Sequence, residues 1–159
     1  MLILQPISCI LILKFNQMKD VIIKEHIFNH SIDQVWKAIS IGEEISNWFI
    51  PADFKAEKGY HYTFKSKGED CSVITGEVKE ASPYTLIYSW IVKDAPAETI
   101  VKWVLTPTSE NTTKLYLEHS GISNYSGETA VAMFTSFDGG WNNCITKLTE
   151  YLMVNIHAG

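Results

Sequence analysis

Apolar residues recur along the chain with two different periods, and each period marks a different kind of element. The run from Val21 to Phe28 is rich in β-branched residues, which predicts a first strand. Ser31 and Gln34 then form a capping-box pattern at the start of a short helix. The segment EEISNWF predicts a second short helix, which Pro51 ends. The pattern therefore places two short helices directly after the first strand.

Beyond Gly59 the alternation has period two and predicts five consecutive strands. Short turns separate them, so neighbouring strands pair in antiparallel fashion. From about Gly127 to Val154 apolar residues recur every three or four positions, which predicts a long helix with one apolar face. Gly139 and Gly140 interrupt this pattern at a cost of about 1 kcal/mol each relative to alanine. We expect a bend, a break or a close backbone approach at this pair.

The predicted sheet and the predicted long helix each have one apolar face, and these two faces bury each other. The order of elements is one strand, two short helices, five strands and one long helix. The expected fold is therefore α+β. It consists of a curved six-stranded antiparallel sheet wrapped around a long C-terminal helix, with two short helices between strands 1 and 2.

Length and composition indicate one globular domain. The chain has 159 residues, of which 46% are hydrophobic and 19% charged. The first 17 residues are mostly apolar but lack a basic start and a cleavage motif, and they are too short to span a membrane. We interpret residues 1–17 as an N-terminal extension of uncertain status, preceding a natural start at Met18. Residues 18–159 then form the single domain.

Charge and cysteine content exclude several classes of partner. The net charge is -5 and basic residues are scattered, which argues against nucleic-acid binding. Cys9, Cys71 and Cys144 have no metal-site spacing, and reduced, buried thiols in the cytoplasm fit them best. We expect no metal, no cofactor and no membrane association, and either a monomer or a homodimer.

Five segments, taken in order, resemble one superfamily. They are IFNHSIDQVWKAIS, EEISNWFIP, GEVKEASPYTLIYSW, TKLYLEHSGI and GGWNNCITKLTEYL, and they span about Val21 to Leu152. Their order resembles the START-like (SRPBCC, Bet v 1-like) superfamily, and within it the activator of heat-shock protein 90 ATPase homologue family. The resemblance implies a helix-grip fold with a cavity between the sheet and the long helix, which in relatives accepts apolar ligands. It implies no catalytic motif.

Aromatic side chains on the predicted inward faces are the candidate ligand contacts. Rings supply apolar area, while hydroxyl and indole N–H groups can orient a ligand. Packing in the core is the alternative for each of them, and Trp48 and Phe49 could act as a gate to the cavity or as its plug. The candidate binding residues are Trp48, Phe49, Tyr60, Tyr62, Phe64, Tyr88, Trp90, Trp103, His119, Phe134, Phe137 and Trp141.

His119 is the strongest polar candidate, because it is in phase with Leu115 and Leu117 and therefore points toward the helix. A neutral imidazole there could hydrogen-bond a ligand, or it could be a core histidine that a backbone group satisfies. His30 is expected in a loop or on the surface. No nucleophile, carboxylate pair or metal set accompanies His119 in the sequence, so no catalytic residue is predicted.

The resemblance, together with the aromatic residues and His119, implies three possible functions. The first is a protein that binds a hydrophobic or aromatic small molecule between the sheet and the C-terminal helix, and it predicts an empty cavity. The second is a co-chaperone-like domain that binds a protein partner, and it predicts a filled interior and an exposed apolar surface. The third is a cyclase- or hydrolase-type enzyme that uses the same cavity, and it rests on analogy of fold alone.

Overall fold

One antiparallel sheet and one long helix contain most of the residues. The computed structural model describes residues 20–68 and 72–158. The elements are β1 Ile22–Phe28, α1 Ile32–Ser40, α2 Gly42–Trp48, β2 Ala52–Asp53, β3 His61–Lys65, β4 Val73–Ser82, β5 Thr85–Val92, β6 Ala95–Ser109, β7 Thr112–Ser120, a 3-10 helix Ile122–Asn124, and α3 Gly127–Ala158. The predicted α+β helix-grip fold is confirmed. The predicted extension at residues 1–17 lies outside the described residues.

The sheet has seven strands in the order β1-β7-β6-β5-β4-β3-β2, all paired antiparallel. The prediction of six strands was wrong by one, because β2 contains only Ala52 and Asp53, which pair with Phe64 and Thr63. Two residues are too few to produce a period-two signal. The first strand closes the other edge of the sheet by pairing with the last, where Ile22 lies opposite His119.

The first helix begins with the capping box that the sequence predicts. The backbone N–H of Gln34 donates to the Ser31 hydroxyl, and the Gln34 side chain accepts from the Ser31 backbone N–H. These bonds satisfy N–H groups that would otherwise be unpaired at the helix end. Val35 and Ile39 on the inner face are buried.

The long helix α3 passes through Gly139 and Gly140 without interruption, so the expected break was wrong. A Cβ built on either glycine meets no atom within 4 Å, so no close backbone approach requires these glycines. Apolar residues on both sides of the pair, including Phe137 and Trp141, are buried. Their packing outweighs the low helix propensity of two glycines.

The inner face of the sheet supplies the core. In β7, Leu115, Leu117 and His119 are fully buried, as their phase predicts. Cys144 of α3 is also buried and free, and burial raises the pKa of its thiol. Cys9 and Cys71 lie outside the described residues.

Candidate functional site

A cavity of about 240 Å³ opens between strands β4 and β5 of the sheet and the helix α3. The sheet contributes Ile74 from β4 with Trp90 and Val92 from β5. Phe49, which follows α2, forms a third wall. Among the described residues, the lining consists of Phe49, Ser72, Ile74, Trp90, Val92, Met133, Ser136, Phe137, Gly140 and Trp141. None of these ten carries an ionisable side chain, so this surface suits an uncharged, apolar occupant.

The predicted site residues divide between this cavity and a packed aromatic core. Four of them line the cavity: Phe49, Trp90, Phe137 and Trp141. Five others are buried against one another, α1 and α2: Trp48, Tyr62, Phe64, Tyr88 and Trp103. Four of these five, all but Tyr62, line a void of only about 10 Å³. Five of the predicted aromatic residues therefore fill the interior, and four border open space.

The polar groups of this aromatic core are already paired within the protein. The Tyr62 hydroxyl donates to the Ser89 carbonyl at 2.5 Å, and the Trp103 indole N–H donates to the Tyr88 hydroxyl at 2.9 Å. The Trp48 indole N–H donates to the Ala38 carbonyl at 2.8 Å, which fixes Trp48 as a structural plug. Burial raises the pKa of both tyrosines, so they remain neutral hydroxyls.

Two predicted residues lie outside both groups. Tyr60 precedes β3 and is half-buried, and its hydroxyl donates to the Asp53 carboxylate, which raises the pKa of Tyr60. Phe134 lies on α3 and is half-buried against the edge of the core.

His119 is the centre of a buried hydrogen-bonded chain. The Trp141 indole N–H donates to His119 Nδ1 at 2.9 Å. An indole can only donate, so Nδ1 must accept and the imidazole proton lies on Nε2. Nε2 is 2.7 Å from the Thr99 hydroxyl, which in turn donates to the Trp90 carbonyl at 3.1 Å. Both ring nitrogens are therefore occupied, and neither is free for a ligand.

Burial lowers the pKa of His119 from its ordinary value of 6.5 to about 3. As the pH falls below 6.5, the unfolded chain takes up a proton at this residue and the folded chain does not. Stability is therefore lost as the pH falls from about 6.5 toward 3. We expect this group alone to cost about 2 kcal/mol of unfolding free energy between pH 7 and pH 5.

Urea denaturation at the two pH values checks this expectation in the wild type and in His119→Gln, which has no titratable group at this position. Between pH 7 and pH 5, the free energy of unfolding should fall by about 2 kcal/mol more in the wild type than in the variant. Equal losses in the two proteins would contradict a neutral buried imidazole. A histidine ring resonance that shows no protonation at pH 5 gives an independent check on the unmodified protein.

Several cavity residues were not predicted from the sequence. They are Ser72, Ile74, Val92, Met133, Ser136 and Gly140. Two of them carried a usable signal: Val92 alternates in phase with Trp90, and Met133 lies four residues before Phe137 on the helix. The serines and Gly140 have no apolar signature.

A second, more polar pocket of about 180 Å³ lies beside the end of α3. Its lining includes His30, Lys37, Glu44 and Tyr151, and the Tyr151 hydroxyl donates to the Glu44 carboxylate. His30 lies in the loop between β1 and α1, one of the two expected positions, but it is not on the surface, since only 6% of it is accessible. Burial lowers its pKa, and Nδ1 has no hydrogen-bond partner among the described residues.

Within residues 20–68 and 72–158, no three histidine, cysteine or acidic side chains come close enough to hold a metal ion. In the same part of the chain, no helix is both long and apolar enough to cross a membrane.

A family model described as "Activator of Hsp90 ATPase homolog 1-like protein" matches residues 29–153. No curated protein matches the chain.

Solved structures share the fold at low sequence identity. Protein MLL2253 from Mesorhizobium loti is 24% identical with a TM-score of 0.72, and the match covers 83% of this chain and 96% of that chain. Protein BH1534 from Bacillus halodurans is 28% identical with a TM-score of 0.66 and the same two coverages, 83% and 96%. DynU16, a protein in the dynemicin biosynthetic locus, is 22% identical with a TM-score of 0.72, covering 86% of this chain and 48% of that chain.

Proposed function

The chain belongs to the family of activator of Hsp90 ATPase homolog 1-like proteins, and on this basis we propose that it binds a small, uncharged, apolar molecule between β5 and α3. The observation that carries the proposal is the contrast between the two halves of the interior. Around Tyr88 and Trp103 the aromatic rings leave about 10 Å³. Beside Trp90 and Trp141 about 240 Å³ stays open.

The size and chemistry of the cavity limit its ligand. A volume of 240 Å³ is near the lower end of the range for small-molecule sites, which is about 300 to 1,000 Å³, so one or two fused rings fit better than a long lipid chain. The walls at Phe49, Phe137 and Trp141 offer ring faces and edges for stacking.

Phe49 is the movable wall in this proposal. It is half-buried, stacks on Trp48 at a centroid distance of 5.5 Å and meets the edge of Phe64 at 5.8 Å. Trp48 is held by its bond to the Ala38 carbonyl. Rotation of Phe49 would change the width of the cavity and break its stacking on Trp48, while the hydrogen bond that holds Trp48 would remain.

Two adjacent glycines provide a matched test. Gly140 lines the cavity and Gly139 does not, and a Cβ on either one meets no atom within 4 Å. Leucine at position 140 should project into the cavity, whereas leucine at 139 should leave it open. We expect Gly140→Leu to weaken binding of N-phenyl-1-naphthylamine at least about tenfold by steric exclusion. Gly139→Leu should bind this probe as the wild type does.

The probe is uncharged, and its fluorescence rises when it leaves water, so a titration measures the dissociation constant directly. Both substitutions replace a helical glycine, so they share any gain in helix propensity. Equal binding by the two variants would place the probe elsewhere on the surface. Failure of the wild type to bind the probe would contradict the proposed function.

Protein binding is the second candidate, and the outer face of β1 favours it. Ile23 and Ile27 lie two positions either side of Glu25 on this face and are about half exposed, at 53% and 50%. A co-chaperone-like partner would cover them. Replacement of both isoleucines by threonine should abolish such an interaction and leave binding of the probe unchanged.

A further inference from the structure

The four buried tryptophans differ in what their indole N–H groups contact. Trp48 donates to the Ala38 carbonyl, Trp103 to the Tyr88 hydroxyl and Trp141 to His119 Nδ1. Trp90 is also buried, but its N–H has no acceptor among the described residues. Of these four, only Trp90 and Trp141 line the open cavity. The single unpaired indole donor therefore belongs to the cavity wall.

An unpaired buried donor is costly, because it has lost its hydrogen bonds to water without gaining others. Proteins tolerate such groups where a ligand or a water molecule supplies the missing hydrogen-bond acceptor. The indole cannot easily turn to find a partner in the protein. Its ring packs against Phe64, His119, Phe137 and Trp141 at centroid distances of 6.1, 5.8, 6.3 and 5.4 Å.

A hydrogen bond also fixes the main chain at Trp90. Its carbonyl accepts from the Thr99 hydroxyl, which is itself bonded to His119. The chain from Trp141 through His119 and Thr99 thus ends on the main chain of Trp90. This network holds the main chain of Trp90, whose side chain lines the cavity and carries the buried, unpaired donor.

We propose that the natural ligand is a flat, uncharged molecule that carries a neutral acceptor oxygen, such as a ketone, quinone or lactone carbonyl, and that the Trp90 indole N–H donates to it. This rests on the proposed function and narrows it. Among the described residues that line the cavity, none has a cationic side chain that would favour a carboxylate or phosphate. A pure hydrocarbon would leave the N–H unpaired.

Tetralin and 1-tetralone test the proposal, because they share a ring skeleton and differ mainly by one carbonyl. Water solvates the ketone better, so apolar burial alone favours the hydrocarbon. We expect the wild type to bind 1-tetralone about fivefold to tenfold more tightly than tetralin, as measured by calorimetry. A preference in this direction reports a hydrogen bond.

The substitution Trp90→Phe keeps an aromatic ring and removes the donor, so the preference for 1-tetralone should disappear. The control is Trp36→Phe. Trp36 packs against Tyr84 at 5.9 Å and does not line the cavity, so this variant should retain the preference.

An NMR measurement keeps the test valid if Trp90→Phe does not fold. The Trp90 indole N–H resonance, assigned through its contacts to the Phe137 and Trp141 rings, should shift downfield with 1-tetralone and not with tetralin. Equal affinities for both compounds, with no shift, would overturn the role of Trp90 and leave the proposed function standing. If the wild type binds neither compound and also fails to bind N-phenyl-1-naphthylamine, both the role of Trp90 and the proposed function are overturned.

Discussion

Replacement of Gly76 by alanine is expected to lower the free energy of unfolding by about 3 kcal/mol or more. A Cβ at this position would lie 2.0 Å from the Ser89 carbonyl oxygen and 2.7 Å from Cε1 of Tyr62. Neither neighbour can yield easily, because the Tyr62 hydroxyl donates to that same carbonyl at 2.5 Å. Ser89 is also fixed by its hydroxyl, which accepts from the Glu77 N–H at 2.8 Å. The strands must separate to admit one methyl group.

Urea denaturation measures this loss, and Gly139→Ala is the matched control. Gly139 has open space around it in the helix, so alanine there should stabilise the protein by about 0.5 to 1 kcal/mol. A loss below about 1 kcal/mol for Gly76→Ala would mean that β4 and β5 shift apart more freely than their packing indicates.

Trp141→Ala is expected to destabilise the protein by about 3 to 5 kcal/mol. The indole is 4% exposed and packs against Trp90, Trp103 and His119 at centroid distances of 5.4, 5.9 and 5.9 Å. Alanine removes this contact area and joins the vacated volume to the existing cavity. It also leaves His119 Nδ1 without its donor, which adds to the cost.

Trp141→Phe helps to separate the two contributions, since it keeps a six-membered aromatic ring and removes the five-membered ring with its N–H. Its loss should be about 1 to 2 kcal/mol, and thermal and urea unfolding should rank the two variants in the same order. A nearly neutral Trp141→Ala would contradict the packed position and indicate that the ring only borders empty space.

The structure answers the question about His119 that the sequence left open. Its phase in β7 correctly predicted an inward-facing side chain. Whether it would meet a ligand or a protein group depended on residues far away in the chain, namely Thr99 and Trp141. No local pattern contains that information. The same holds for Trp90. Its indole N–H has no hydrogen-bond acceptor in the described part of the chain, whereas those of Trp48, Trp103 and Trp141 each have one.

By itself, the sequence determined the order and type of every described element except the two-residue β2 and the 3-10 helix Ile122–Asn124, because hydrophobic periods and caps act over a few residues. The capping box at Ser31, the alternation through Trp90 and the stripe through Trp141 are all of this local kind. Tertiary structure alone decided the rest. It decided that β1 pairs with β7, that His30 is buried, that the helix continues through Gly139, and that Tyr62 packs into the core while Trp90 borders space. These outcomes depend on how side chains distant in sequence share one interior volume, which no single stretch of the chain specifies.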